Sequence, residues 1–239
     1  KLFKEIENTI KSLNPNDIGA GTKEFLQQML KDSEIFKLIN EPSQDSWASD
    51  EYDIYESIFA LTKLFRIQVS NSFLIALIRD YKERAISKKM CLKALTVMER
   101  FHFINNAVCS NRSSGIDLLY AKFSRDLHQE SSKSNKHRVI MRICQDLANR
   151  IADISDFSAN VDIKLYYSKN DEKQKELVKY VLRKLERKKN RHSIPIATSI
   201  EHVYPEIPQT MTLTNSKLIQ NIGNLVLLED DINSKIGNK

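Results

Sequence analysis

The sequence of 239 residues predicts a mainly α-helical protein that ends in a small strand–strand–helix unit. Apolar residues recur at helical spacing through the first 190 residues, where no convincing strand is found. Two short β-like runs follow within the last 42 residues, after the most basic stretch of the chain. We therefore expect a multi-helix scaffold over residues 1–165. A basic helix and the strand–strand–helix unit are expected over residues 166–239.

Apolar stripes justify the helical prediction for the scaffold. Each stripe repeats every three or four residues, which is the spacing of one face of an α-helix. Such faces usually form the core of a helical bundle, so we assign these residues to packing rather than to chemistry. The stripes are Ile54, Ile58, Leu61 and Phe65; Phe73, Leu74, Leu77, Ile78 and Tyr81; Ile116, Leu119, Tyr120, Phe123 and Leu127; and Ile140, Ile143, Cys144, Leu147 and Ile151.

Composition excludes several classes of protein. With only five glycines, neither G-x-G-x-x-G nor G-x-x-x-x-G-K-[ST] occurs, which excludes the glycine-rich phosphate loops. No apolar run approaches the ~20 residues of a membrane span, and we expect no signal peptide. The three cysteines are widely spaced on apolar stretches. This favours reduced, buried thiols in a cytoplasmic protein over a zinc site.

The net charge of +6 is concentrated in one helix. Lys179–Arg191 contains seven Lys and Arg and one Glu, so this segment alone accounts for the whole excess. The cations lie largely off its apolar face, so one side can pack while the other meets an anion. DNA is the leading candidate, with a merely solvated helix face as the alternative. The apolar face is Leu177, Val178, Val181, Leu182 and Leu185. The predicted DNA contacts are Lys179, Arg183, Lys184, Arg187, Lys188, Lys189, Arg191 and, further along, Lys235.

The segment after the basic helix has a different character. Thr198–Tyr204 is a short β-like run that ends at Pro205. Gly223–Glu229 is a second run, apolar and partly β-branched. Asp230–Lys239 has the pattern of a helix. The expected order is therefore strand, strand, helix.

Residues that suit phosphodiester hydrolysis converge on these elements. His202 can act as a general base near neutral pH. Glu201 precedes it, and Asn224 opens the second run. Asn233 and Asn238 lie on the expected helix, and carboxylate and amide oxygens suit Mg²⁺ or Mn²⁺. Adjacent residues of a regular strand point to opposite faces. Glu201 and His202 can therefore serve one site only if the strand twists or ends there.

The ordered motifs EHVYPE (201–206), IGNLVLL (222–228) and NSKIGNK (233–239) resemble the HNH, or ββα-metal, nuclease motif. The resemblance is closer to the C-terminal nuclease domain of GmrSD-type modification-dependent restriction enzymes and related phage-defence proteins. Those read approximately EHxxPQ, IGNLxLL and NSKxxNK. The resemblance covers about residues 100–239. The chain departs from these relatives at Glu206, where they commonly carry Gln. Relatives also continue past the position of Lys239, so we expect this chain to be a truncated C-terminal portion.

The resemblance implies a metal-dependent DNA endonuclease of a restriction or phage-defence system. It implies that His202 is the general base and that Asn224 orients the catalytic loop or the histidine ring. It implies one divalent cation, Mg²⁺ or Mn²⁺, bound by Glu201 and Asn233, with Asn238 as the alternative to Asn233. It also implies a partner domain outside this chain, which is a ParB-like nucleotide-binding and modification-sensing domain.

Two other functions stay open at the level of sequence. A catalytically degenerate DNA-binding or protein-interaction module would keep the basic helix without cleaving DNA. A purely structural scaffold within a larger complex would bind DNA weakly and without salt dependence. Serine-type hydrolysis has no support, because G-x-S-x-G does not occur.

Overall fold

Helices dominate the computed structural model of the chain, and the predicted mainly α fold class is confirmed. Contacts divide the chain into two compact units, one of residues 1–103 and 112–151 and one of residues 104–111 and 152–239. The sequence-based boundary at residue 165 stays a prediction about domain organisation. The structure describes residues 1–112, 114–189, 198–206, 217–230 and 232.

The helices of the first unit follow one another with short connections. Side-chain oxygens of Asp17, Ser87 and Ser132 each cap the helix that begins at the next residue, by accepting a hydrogen bond from the backbone N–H three residues later. These caps explain where the three helices begin. In chain order the helices are α1 (Leu2–Leu13), α2 (Ile18–Asn40), α3 (Tyr52–Phe59), α4 (Asn71–Lys82), α5 (Lys88–His102), α6 (Ile116–Gln129) and α7 (Lys133–Ala148).

The predicted apolar stripes meet in one core cluster of the first unit. Helix α5 packs on α3 and α7, and α4 packs on α2 and α6. His102 is fully buried there, and its Nε2 lies 2.9 Å from the Tyr120 hydroxyl. Burial raises the pKa of Cys91 to about 12 and that of Cys144 to about 11, which keeps both thiols protonated. These side chains therefore pack the core of the first unit, as the sequence predicted.

One ion pair is buried within this core. Lys136 Nζ lies 2.7 Å from Asp80 Oδ2, and both side chains are 8% exposed. The ammonium also donates to the Leu127 carbonyl oxygen at 2.9 Å. Burial raises the pKa of the Asp80 carboxyl, and the Lys136 ammonium partly offsets that shift. The pair holds α4 to α7 at one fixed register.

In its described residues, the second unit joins three α-helices to a two-stranded sheet. The strands are antiparallel, with register from Thr198 opposite Glu229 to His202 opposite Leu225. The backbone at Tyr166 forms an isolated bridge with Asn221. In chain order the elements are α8 (Ile154–Lys164), α9 (Glu172–Lys189), β1 (Thr198–His202), α10 (Lys217–Gln220) and β2 (Leu225–Glu229).

A small apolar cluster fixes α9 against one face of this sheet. Val178 and Leu182 of α9 pack against Ile200 of β1 and Leu225 of β2. Leu185 was expected on the same apolar face, but it is 51% exposed. The buried contacts of this face therefore stop at Leu182.

Both predicted strands are present, each shorter than the run that predicted it. The predicted helix Asp230–Lys239 lies almost entirely outside the described residues, so the complete strand–strand–helix unit stays a prediction. Within the described ranges, no helix combines the length and the apolarity needed to cross a membrane.

Removing the carboxylate of the buried ion pair is expected to destabilise the first unit. Asp80→Ala leaves the Lys136 ammonium buried without a counter-charge, which typically costs about 3–5 kcal/mol. Lys11→Ala is the control, because it breaks an exposed pair with Glu7 and should cost less than about 1 kcal/mol. Urea denaturation followed by circular dichroism measures both free energies of unfolding. Equal losses in the two variants would contradict the structural role of the buried pair.

Candidate functional site

His202 ends β1 and lies on the side of the sheet that faces the small apolar cluster. It lies two residues after Ile200, and therefore on the same face, and it pairs with Leu225; both of these residues are buried. The Tyr167 ring meets the imidazole edge to face, with ring centroids 5.1 Å apart. The His202 side chain is 10% exposed. Its ring orientation is therefore set by packing on one side.

A chain of polar contacts sets the ring on the other side. His202 Nε2 lies 3.3 Å from Gln220 Oε1, and Gln220 Nε2 donates to Glu206 Oε1 at 3.1 Å. An ionised carboxylate can only accept, so the Gln220 nitrogen faces Glu206 and its oxygen faces the imidazole. Nε2 of His202 therefore carries a hydrogen, and Nδ1 holds the lone pair when the ring is neutral.

Glu206 is the acceptor on which this chain of contacts ends. The Lys169 ammonium donates to its other oxygen, Oε2. This hydrogen bond lowers the pKa of Glu206 below its usual value, against burial, which raises it. His202 Nε2 is 3.8 Å from Glu206 Oε1. The carboxylate that stands where relatives commonly carry Gln thus stays ionised beside the imidazole.

Asn224 joins the end of β1 to the start of β2. Its Oδ1 accepts from the Tyr204 N–H at 2.8 Å, and its Nδ2 donates to the Tyr204 oxygen at 3.0 Å and to the Ile219 oxygen at 2.9 Å. The Asn224 backbone oxygen also accepts from the Val203 N–H at 2.8 Å. Asn224 thereby fixes the two residues that follow His202. The geometry suits the loop-orienting role expected for it.

Glu201 and His202 lie on opposite faces of the sheet. Both belong to the regular part of β1, where Glu201 pairs with Val226 and His202 with Leu225. Val226 is 38% exposed, whereas Leu225 belongs to the apolar cluster. Side chains of a regular strand alternate, so Glu201 shares the outer face with Val226. The described backbone does not bring Glu201 and His202 to one point.

The remaining predicted metal ligands, Asn233 and Asn238, lie outside the described residues. Among the residues that the structure describes, no group of three or more His, Cys, Asp or Glu side chains could hold a metal ion. Glu201 on the outer face and the His202–Glu206 pair on the inner face are each an incomplete donor set. The described residues therefore supply part of the predicted ligand set, namely Glu201, and the metal assignment stays a prediction.

The cations of α9 differ in their surroundings. The Arg183 guanidinium reaches within 3.5 Å of Thr198 Oγ1 on β1, and Lys184 Nζ lies 5.4 Å from the centre of the Tyr180 ring. Lys179, Lys184 and Arg187 are half-buried, as is Arg183, whereas Lys188 and Lys189 are exposed. Arg191 and Lys235 lie outside the described residues. Of the predicted DNA contacts that lie on the described helix, Lys188 and Lys189 at its last turn are therefore the exposed ones.

Three side chains around His202 were missed by sequence reasoning. Gln220 is the last residue of α10, two positions before the IGN motif, so its closeness to the motif was the signal that could have identified it. Tyr167 and Lys169 precede His202 by more than 30 residues and belong to no motif. They reach the site because Tyr167 N–H donates to the Gln220 oxygen at 2.7 Å, which joins this segment to the turn before β2.

A comparison with known families bears on this geometry. Residues 151–239 match the model of GmrSD restriction endonucleases, C-terminal domain. The predicted resemblance to the GmrSD C-terminal domain is thereby confirmed for this segment. Since the family is one of restriction endonucleases, the match indicates a restriction-related function for residues 151–239. No curated protein matches the chain.

The match contains every element that positions His202. It begins at residue 151, so it includes α8, α9 and both strands of the GmrSD-type segment. The sequence resemblance was drawn from about residue 100, and its part before residue 151 stays a prediction.

Removing the Asn224 amide is expected to destabilise the GmrSD-type segment. Asn224→Ala deletes three side-chain hydrogen bonds and leaves the Tyr204 and Ile219 backbone groups without them. At about 1 kcal/mol per bond, the free energy of unfolding should fall by about 2–4 kcal/mol. Hydrogen–deuterium exchange should show the loss of protection concentrated at the Val203 and Tyr204 amides.

The control is Asn160→Ala, because Asn160 makes one exposed hydrogen bond to its own helix. Its melting temperature should stay close to that of the wild type. A wild-type exchange rate at Val203 and Tyr204 in Asn224→Ala would show that Asn224 does not fix this turn.

Proposed function

We propose that this chain is a metal-dependent DNA endonuclease of the HNH type, in which residues 151–239 carry the cleavage site. The observation that carries the proposal is His202, held at the end of β1 with a defined tautomer and followed by a turn that Asn224 fixes. The match of the same segment to restriction endonucleases supports DNA as the substrate.

In this proposal His202 activates the attacking water. With Nε2 hydrogen-bonded to Gln220, Nδ1 is the nitrogen that accepts the proton. The ionised Glu206 lies 3.8 Å from Nε2, so it stabilises the imidazolium that forms when the proton is taken. The hydroxide then attacks phosphorus in line with the leaving oxygen. Tyr167 and Gln220 act as positioning residues, because they touch the imidazole rather than the substrate.

The basic helix supplies the contact with the DNA backbone. Lys188 and Lys189 are exposed at the last turn of α9, where they can approach phosphates without losing other contacts. Such contacts hold the duplex without reading its sequence. We assign the predicted Lys179, Arg183, Lys184 and Arg187 to a supporting role, since these side chains are half-buried. This division leaves target choice to another part of the enzyme, such as the ParB-like partner domain.

A divalent cation, Mg²⁺ or Mn²⁺, is part of the proposal. Its chemistry is the stabilisation of negative charge at the reacting phosphate. The proposed ligands are Glu201 and Asn233, with Asn238 as the alternative. The resemblance to HNH nucleases supports this assignment, whereas the outer-face position of Glu201 does not.

A catalytically degenerate DNA-binding module is the second candidate. Two observations favour it, which are the separation of Glu201 from His202 across the sheet and the carboxylate of Glu206 in place of the commoner amide. Such a module would keep the DNA affinity of the basic helix and cleave no DNA. A cleavage assay separates the two candidates.

Replacing His202 is expected to remove cleavage but not DNA binding. Loss of a general base typically slows a reaction by ~10²–10⁴-fold, so His202→Ala should fall by this factor in a supercoiled-plasmid assay with Mg²⁺ or Mn²⁺. Excess EDTA should abolish wild-type cleavage. DNA affinity in fluorescence anisotropy should stay within about twofold, because His202 touches no phosphate-binding cation of α9.

The control is His137→Ala, since His137 is exposed on α7 in the first unit. It should cleave at the wild-type rate. Wild-type cleavage by His202→Ala would refute the proposed base. Absence of cleavage by the wild type with either ion would favour the degenerate module.

Neutralising the last turn of α9 is expected to weaken DNA binding regardless of sequence. Each lost phosphate contact makes the negative slope of log K against log salt shallower by about 0.9 for duplex DNA, so Lys188→Gln/Lys189→Gln should make it shallower by about 1.8. A salt titration on two unrelated duplexes measures the slope. Lys173→Gln, in the first turn of the same helix, is the control and should leave it unchanged. An unchanged slope in the double variant would mean that these cations are only solvated.

A further inference from the structure

We propose that the first unit contains a second anion site, formed by residues outside 151–239, which binds the phosphate oxygens of a ligand that carries two or more negative charges. The site is a pocket of about 560 Å³, within the size range of ligand pockets. It lies wholly within residues 1–103 and 112–151, so it does not depend on the proposed function of residues 151–239. The pocket is lined by Glu51, Tyr81, Lys82, Arg84, Ile86, Ser87, Lys88 and Lys133.

The charges that line the pocket are unequal. Four cationic side chains face one carboxylate, that of Glu51. Burial alone would raise the pKa of Glu51, but hydrogen bonds from Tyr81, the Ala48 N–H and Lys82 lower it. The carboxylate is thus ionised and held by Tyr81 at 2.6 Å and Lys82 at 3.1 Å. Lys82 therefore offsets the negative charge of Glu51 within the lining of the pocket, and Glu51 repels a bound anion only weakly.

Three cations are left to meet a ligand. Arg84 and Lys133 are exposed, and their side chains make no hydrogen bond or ion pair with the described residues. The Lys88 ammonium donates to the backbone oxygen of Asp50 and, at 3.2 Å, to its carboxylate. That carboxylate is 76% exposed and therefore screened by water, so it offsets the charge of Lys88 only weakly. A guanidinium and two ammonium groups that converge on one cavity form a recognition set for phosphate oxygens.

These cations occupy positions that are locally unfavourable for them, either at the start of a helix or at a positive φ. Lys88 and Lys133 are the first residues of α5 and α7, where the helix dipole disfavours positive charge. Arg84 has φ of +59°, a conformation in which glycine is favoured. Departures of this kind from local preference tend to mark functional positions. A bound anion would compensate for the crowding of positive charge at the two helix starts.

The decisive variant is Arg84→Gly in the full chain. It removes one cation of the pocket and places glycine where φ is positive, so the fold should be as stable as that of the wild type or more stable. Arg66→Gly is a matched control, because Arg66 is also exposed with φ of +56° and does not line the pocket. Lys133→Gln removes a second cation of the pocket without touching the turn.

Isothermal titration with pyrophosphate measures the site. We expect saturable binding by the wild type, with Kd raised about tenfold or more in Arg84→Gly and in Lys133→Gln. Arg66→Gly should bind like the wild type. No binding by the wild type, or an equal loss in Arg66→Gly, would overturn the site. Cleavage activity is not the readout, so failure of the nuclease proposal would leave this result interpretable.

Two further titrations distinguish the source of the phosphoryl group. ATP and a short duplex DNA would each be titrated against the wild type and Arg84→Gly. Arg84-dependent affinity for ATP with Arg84-independent affinity for the duplex identifies a small phosphorylated molecule. Arg84-dependent affinity for the duplex identifies a backbone phosphate of DNA. Arg84-independent affinity for pyrophosphate, ATP and duplex alike would refute the site.

Discussion

The side-chain amide of Asn224 is the constraint on which the geometry around His202 depends. A two-stranded sheet is marginal by itself, and the connection between its strands is more than 20 residues long. Asn224 shortens the effective loop, because it bonds to Tyr204 just after β1 and to Ile219 just before β2. A side-chain amide can accept a hydrogen bond through its oxygen and donate two through its nitrogen, which is the pattern that Asn224 makes. The position of His202 therefore follows from a hydrogen-bonding group that itself does no chemistry.

The imidazole is held by two different kinds of force. Tyr167 and the apolar cluster restrict it by packing, which is not directional. The chain from Gln220 to Glu206 and Lys169 restricts it by hydrogen bonds, which also choose the tautomer. Because Lys169 keeps the pKa of Glu206 low, the acceptor at the end of the chain remains ionised near neutral pH. A histidine so placed is suited to proton transfer.

The sequence anticipated much of this arrangement where it relied on local patterns. Apolar stripes at helical spacing identified the core of the first unit, and the β-like runs identified both strands. Leu185 was misassigned, since a stripe shows which face can pack but not how far the partner extends. The sequence predicted that Glu201 and His202 could serve one site only if the strand twists or ends there. Because β1 pairs regularly at both residues, the two side chains lie on opposite faces of the sheet.

The sequence by itself determined the mainly helical class, the location of the basic helix and the motifs that match the restriction-endonuclease segment. These are properties of neighbouring residues, since period, charge and motif spacing need no knowledge of the fold. Only the tertiary structure decided that Tyr167 and Lys169 surround His202, and that Arg84, Lys88 and Lys133 meet in one pocket. Such contacts join segments far apart in the chain. Their formation depends on packing and loop closure, which no short stretch of sequence encodes.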